Sequence, residues 1–201
     1  MCKMTSNSTI IYGINSDIGR NILFQSAVYW AVDGCKVLYF AKSKFNSIPS
    51  SAHGPQIPPS EVLAKIRIVY PENMEELVKL IVDILTFRDV TPRVILVEEL
   101  EGYMEESDHC LARTCATLCH VAVCCSARLK LPTYVLVTTT KDVLPPVVCS
   151  MFDSVWCHNS EHNTVTRKYP ADLVPAAQLV LGPRSDGAIV LKEIHHLFVK
   201  H

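Results

Sequence analysis

Two glycines, Gly13 and Gly19, follow a β-branched run and precede Arg20 and Asn21. The frame is that of a phosphate-binding loop, G-x-x-x-x-G-K-[ST], with its last two positions changed. In such a loop the backbone N–H groups point into a concavity at a helix N-terminus, where the dipole favours anions. The lysine reaches the terminal phosphates and the hydroxyl ligates magnesium. Arg20 keeps the positive charge, but as a planar fork rather than a point charge. Asn21 has no hydroxyl. The candidate cofactor-binding residues are therefore Gly13, Ile14, Asn15, Ser16, Asp17, Ile18, Gly19, Arg20 and Asn21, with Asp17 adding an unhelpful negative charge. The second chemical element is an apolar strand ending in an acid that holds the magnesium's water shell. "RVILVEEL" (93–100) supplies one, with Glu98 in the catalytic position where Asp is usual. Departures at Arg20, Asn21 and Glu98 leave at most weak binding of ATP and magnesium, and weak or absent hydrolysis. They also suggest a replacement: Arg20 and Glu98, opposite charges facing one pocket, pair with each other.

These residues must be positioned by a sheet. Short continuous apolar runs separated by helical patterns are the mark of parallel strands buried on both faces. Residues 9–12, 36–41, 65–70, 93–98 and 133–139 read as strands, and 19–32, 72–87 and 108–129 as helices. The Ser- and Pro-rich stretch 43–60 has no period and reads as a flexible loop. Four apolar pieces near 152–157, 164–166, 177–182 and 188–194 read as an antiparallel β extension over 150–201. The expected fold is α/β, a single domain over 1–201 with a RecA-like P-loop core: a mainly parallel sheet with a C-terminal antiparallel extension. In such sheets ligands bind beyond the carboxyl ends of the strands, where the glycine loop lies.

Composition narrows the partners. With 19 Lys and Arg against 20 Asp and Glu the net charge is −1, so the chain carries no strong nucleic-acid footprint of its own. Its basic residues are scattered, and the segment after the fourth strand, "EELEGYMEESD" (98–108), is acidic. No apolar run approaches the length of a membrane span, and no secretory signal opens the chain. Nine cysteines without a C-x-x-C pair read as reduced thiols of cytosol or nucleus.

Five segments carry a resemblance: "LYFAKSKFNSIP" (38–49), "LAKIRIVYP" (63–71), "VILVEELEGYM" (94–104), "SMFDSVWC" (150–157) and "PRSDGAIVL" (183–191). Across nearly its whole length the chain resembles the SWIM-domain-associated RecA-like ATPase subunit of the animal Shu complex, a divergent recombinase paralogue. The resemblance implies a heterodimer with a SWIM-domain zinc-finger protein. It implies work beside a Rad-type recombinase and its paralogues on single-stranded DNA, in nuclear homologous recombination and double-strand break repair. The degenerate Walker A loop and the Walker B position Glu98 map onto the residues named above. The SWIM cysteine–histidine motif is missing, so the zinc belongs to the partner and this chain has no metal site.

Two functional classes follow. One is a mainly structural adaptor that supports recombinase filament assembly. The other is a DNA-stimulated ATPase that remodels filaments. A nucleoside-phosphate kinase is disfavoured, because no Arg-rich lid is evident. Phe24-Gln25-Ser26-Ala27 spells F-x-x-A, a recombinase docking motif, so Phe24 and Ala27 are candidates for docking. Their place in the loop helix favours core packing instead. Cys115 and Cys119 lie four apart and could share a metal, but the inner stripe of that helix uses its cysteines as small apolar residues.

Overall fold

Strand β4, Val94–Val97, buries all four of its side chains. Val94 and Leu96 enter one apolar cluster, Ile95 and Val97 another. A strand buried on both faces must be covered on both, and this chain does so with helices. In a computed structural model, residues 6–49, 57–86, 91–103, 108–169, 176–183 and 189–197 are described. They form a nine-stranded sheet of β1 (Asn7–Tyr12), β2 (Val37–Phe40), β3 (Ile66–Val69), β4, β5 (Tyr134–Thr138), β6 (Ser154–Asn159), β7 (Thr164–Tyr169), β8 (Ala176–Pro183) and β9 (Ile189–Leu197). The spatial order is β3-β2-β4-β5-β1-β6-β7-β8-β9. Pairing is parallel from β3 to β6 and antiparallel from β6 to β9. This is the mixed α/β sheet expected, with one refinement. The first piece assigned to the antiparallel extension, β6, is itself parallel to β1.

Helix α1 (Ser16–Val32) covers one face, setting Leu23, Phe24, Ala27 and Ala31 against Val37, Tyr39, Val94 and Leu96. Helices α3 (Met74–Asp83) and α4 (Asp108–Leu129) cover the other. Their Leu77, Ile81, Leu111, Cys115, Leu118 and Cys125 meet Phe40, Ile95, Val97, Val135 and Val137. Each Leu buried here contributes about 1.5–3 kcal/mol of transfer free energy. By length and composition His109–Leu129 would pass for a membrane span; its packed stripe identifies it as a core helix. Two short helices lay outside the sequence expectation: α2 (Ser60–Leu63), at the end of the 43–60 stretch, and α5 (Pro146–Cys149). Both are single turns begun after prolines, too short for a period to register.

Candidate functional site

The loop after β1 is shorter than the glycine spacing suggests. Helix α1 begins at Ser16, not at residue 19, which leaves only residues 13–15 between strand and helix. The reason is local. Asn15 is the N-cap, and its side-chain oxygen accepts from the Asp17 N–H at 2.9 Å. Asp17 sits in the first turn, where the positive end of the dipole favours a carboxylate. Asn-Ser-Asp is a helix start, and it draws most of the would-be cradle into regular helix. The Gly19 N–H now donates to the Asn15 carbonyl at 2.8 Å.

Two further loop donors are also spent inside the protein. The Gly13 N–H donates to the Lys141 carbonyl at 2.8 Å, and the Ile14 N–H to the Thr139 carbonyl at 3.2 Å. Gly13 takes a left-handed φ of 68°, and a Cβ there would lie 3.2 Å from the His158 carbonyl oxygen. Position 13 is thus held to glycine by backbone conformation as well as by space. His158, 5 % exposed, places Nδ1 3.2 Å from the Gly13 carbonyl, so its Nδ1-protonated tautomer donates to the loop. The loop after β5 is tied onward to the turn Leu100–Tyr103: the Thr140 N–H donates to Glu101 Oε1 at 2.6 Å, and the Glu99 N–H to Thr138 Oγ1 at 3.3 Å. The carboxyl ends of β1, β5 and β4 are stitched side by side across the crevice.

Above the stitching lies an ion pair. Arg20 presents Nε at 2.8 Å and Nη2 at 2.6 Å to Glu98 Oε1. Glu98 has no exposed surface, and its Oε2 accepts from the Tyr39 hydroxyl at 3.1 Å. Arg20 Nη2 also donates to Ser43 Oγ at 2.6 Å, and the guanidinium lies 5.1 Å from the centre of the Phe45 ring. Both carboxylate oxygens and most of the guanidinium fork therefore have protein partners. Burial pushes the Glu98 carboxyl above its ordinary range, and the bond and charge of Arg20 pull it back only in part. Burial works against the Arg20 charge, but Glu98 outweighs it and raises the guanidinium's pKa. Burial, with the Glu98 charge beside it, also pushes the Tyr39 hydroxyl far up, so it stays a donor.

Of the residues proposed from sequence, Arg20 and Glu98 meet as expected, while Asn21 turns its amide to the Asp17 carbonyl at 2.9 Å. Ile14 is 1 % exposed and packs with Ile11, Val165 and Leu181, and Ile18 packs against the same small cluster. Phe24 is 3 % exposed and Ala27 fully buried, both facing the sheet, so neither side chain is available to a partner in this fold. Burial raises the thiols of Cys115 to about 12 and Cys119 to about 11, keeping them protonated. Sequence reasoning passed over Tyr39, Ser43, Phe45 and His158. Tyr39, Ser43 and Phe45 lie within the "LYFAKSKF" segment, whose three aromatics and single serine were the available signal. No local pattern could have linked His158 to Gly13, because the contact spans 145 positions.

A second feature flanks the sheet. Strand β3 is an edge among the described residues. Beside it runs a largely apolar cavity of about 730 Å³, lined by Leu38 and Phe40 of β2, Val69 of β3, and Leu80 and Ile84 at α3, with the charged Lys36, Lys65, Arg67 and Asp83 also in its lining.

No family model matches the sequence, and no curated protein matches it. Solved structures do. The crystal structure of the RadB recombinase matches with a TM-score of 0.59 at 14% identity, over 91% of this chain and 89% of that chain. The chain has a RecA-like recombinase fold.

Proposed function

We propose that this chain is a recombinase paralogue that works as a structural adaptor rather than as a nucleotide-driven motor. The observation that carries the reading is the Arg20–Glu98 pair over a stitched crevice. A magnesium nucleotide would need the loop N–H groups, a free cation and a free carboxylate. Here the Gly13, Ile14 and Gly19 donors end on protein carbonyls, Arg20 ends on Glu98 and Ser43, and Glu98 on Arg20 and Tyr39. These residues do not fit the group, so no step of hydrolysis is assigned to them.

In this reading the chain pairs with a SWIM-domain zinc-finger protein, as the Shu-type resemblance implies. The heterodimer supports recombinase filaments on single-stranded DNA in nuclear homologous recombination and double-strand break repair. Single-stranded DNA is contacted mainly through the complex, since the chain's net charge of −1 gives no basic surplus. An adaptor needs a docking surface in place of a nucleotide site. The cavity beside β3 supports this role, because an edge strand offers unpaired backbone groups and the adjoining apolar wall offers side-chain pockets, the two needs of an added strand. The test is ATP turnover by the purified heterodimer, with and without single-stranded DNA, beside Arg20→Ala. Turnover at background for both supports the adaptor. Turnover above background that Arg20→Ala abolishes would instead establish the DNA-stimulated ATPase.

A further inference from the structure

Helix α4 turns an unusual face away from the core. From residue 114 to 127 it holds no Asp, Glu, Lys or Arg. Its outward positions Ala116, His120, Val123 and Ala127 are exposed, with Val123 at 46 %. Near the middle of this face His120 and Cys124 stand one turn apart, with Nε2 and Sγ separated by 3.6 Å.

That separation has a chemical meaning. With Zn–S of about 2.3 Å and Zn–N of about 2.0–2.1 Å, tetrahedral angles place two donor atoms about 3.6 Å apart. Two ligands at i and i+4 on one helix face form a recurrent metal chelate. The separation of this hydrogen-bonded pair thus matches the bite of a tetrahedral thiophilic ion. The pair is half a site. Among the described residues no group of three or more His, Cys, Asp or Glu could hold a metal. Two further donors must come from outside the chain.

We propose that His120 and Cys124 are half of a zinc site completed by the same pair on a second copy of this chain. A two-fold axis crossing α4 between the two residues brings two identical half-sites together, and such an interface is self-complementary by construction. The result is His₂Cys₂, a closed structural coordination set. Each Cys124 thiol gives up its proton on binding, and two thiolates neutralise the dication, so the centre can be buried between helices without leaving net charge. The surroundings permit it. Alanines at 116 and 127 let two helices approach closely, no like charges between 114 and 127 repel, and the exposed Val123 gains cover. The buried cysteines of the same helix cannot substitute. Burial holds Cys115 and Cys125 protonated, with Cys125 at about 11, and their side chains face the sheet.

The test is a cobalt(II) titration of the reduced, metal-free full chain, followed by absorbance and by sedimentation. The expected result is a thiolate-to-cobalt band and tetrahedral d–d bands that saturate at one metal per two chains, with conversion of monomer to dimer that a chelator reverses. Cys124→Ser and His120→Ala each lose the bands and the dimer, while Cys110→Ser on the same helix keeps both. Circular dichroism checks that each variant is folded, as outward positions allow. The proposal is overturned by a wild-type chain without tetrahedral bands, by bands that survive Cys124→Ser, or by one metal per chain with no change in mass.

Discussion

The crevice at the carboxyl ends of β1, β4 and β5 and the groove beside β3 are both places where a RecA-like sheet can take a partner, and this chain treats them oppositely. In the crevice every named donor is turned inward: Gly13 to Lys141, Ile14 to Thr139, Thr140 to Glu101, Arg20 to Glu98. In the groove the Ile66–Val69 edge is unpaired among the described residues, beside a largely apolar cavity of about 730 Å³. Polar groups satisfied internally gain nothing from a ligand that must first displace their partners. Apolar surface left open gains by being covered. The contrast favours the flank of the sheet, rather than its phosphate loop, as the docking surface proposed above.

The largest expected effect comes from breaking the crevice at its ion pair. Arg20→Gln leaves the buried Glu98 carboxylate without its cation, a change that costs about 3 kcal/mol or more in buried pairs. The pH dependence has a definite sign. Glu98 is raised in the folded state, so its favourable contribution is complete below the unfolded value of about 4.3 and is lost as pH rises through the folded value. Arg20 limits that loss, and its removal raises the carboxyl further. Urea melts should therefore separate the variant from the wild type widely at pH 7.5 and narrowly near pH 4.5, with Glu98→Gln recovering part of the stability in the double variant. An equal separation at both pH values would contradict the assignment of the pair.

The groove is tested by affinity rather than stability. Arg67→Glu reverses a charge at an exposed position of β3 in the cavity lining. Under the adaptor reading, binding of a recombinase to the proposed heterodimer should weaken at least tenfold, about 1.4 kcal/mol, with the melting curve of the chain little changed. Unchanged affinity in a folded variant would leave the flank without the role assigned to it.

How much of this was legible in the sequence divides along the same line. The parallel core was readable because β4 and β5 are short apolar runs bounded by turn residues, and because the 108–129 helix keeps its three- and four-residue stripe through Leu111, Cys115, Leu118, Ala122 and Cys125. The Arg20–Glu98 pair was readable from charge and position alone. The start of α1 at Ser16 follows the capping signal at Asn15 and Asp17 rather than the glycine frame. The groove was invisible, since it is made by strands and a helix that approach only in three dimensions. So was the stitching, whose acceptors are mostly backbone carbonyls that no residue type announces.

Asn15→Ala tests the capping signal directly. It removes the acceptor of the Asp17 N–H, and loss of such a cap costs about 1 kcal/mol. The expected change is a small drop in the urea midpoint with an unaltered slope. A neutral result would mean that the Gly13 and Ile14 bonds alone hold the loop, and that the helix start is imposed by packing.

The smallest expected effect is the one that weighs most on function. A nucleotide present at 100 times its dissociation constant stabilises the folded state by about 2.7 kcal/mol. For a domain of this size that would raise the melting temperature by roughly 5–10 °C. Magnesium ATP at millimolar concentration should leave the wild-type chain unshifted, because binding would first have to break the Arg20–Glu98 and Arg20–Ser43 contacts and unwind the first turn of α1 to free the Gly19 N–H. A variant with Glu98→Ala releases Arg20 but not the backbone donors, so it too should stay unshifted. A rise of several degrees in the wild type would show that the stitched crevice opens to a phosphate at little cost. The contrast between a closed crevice and an open flank would then fail at its first term.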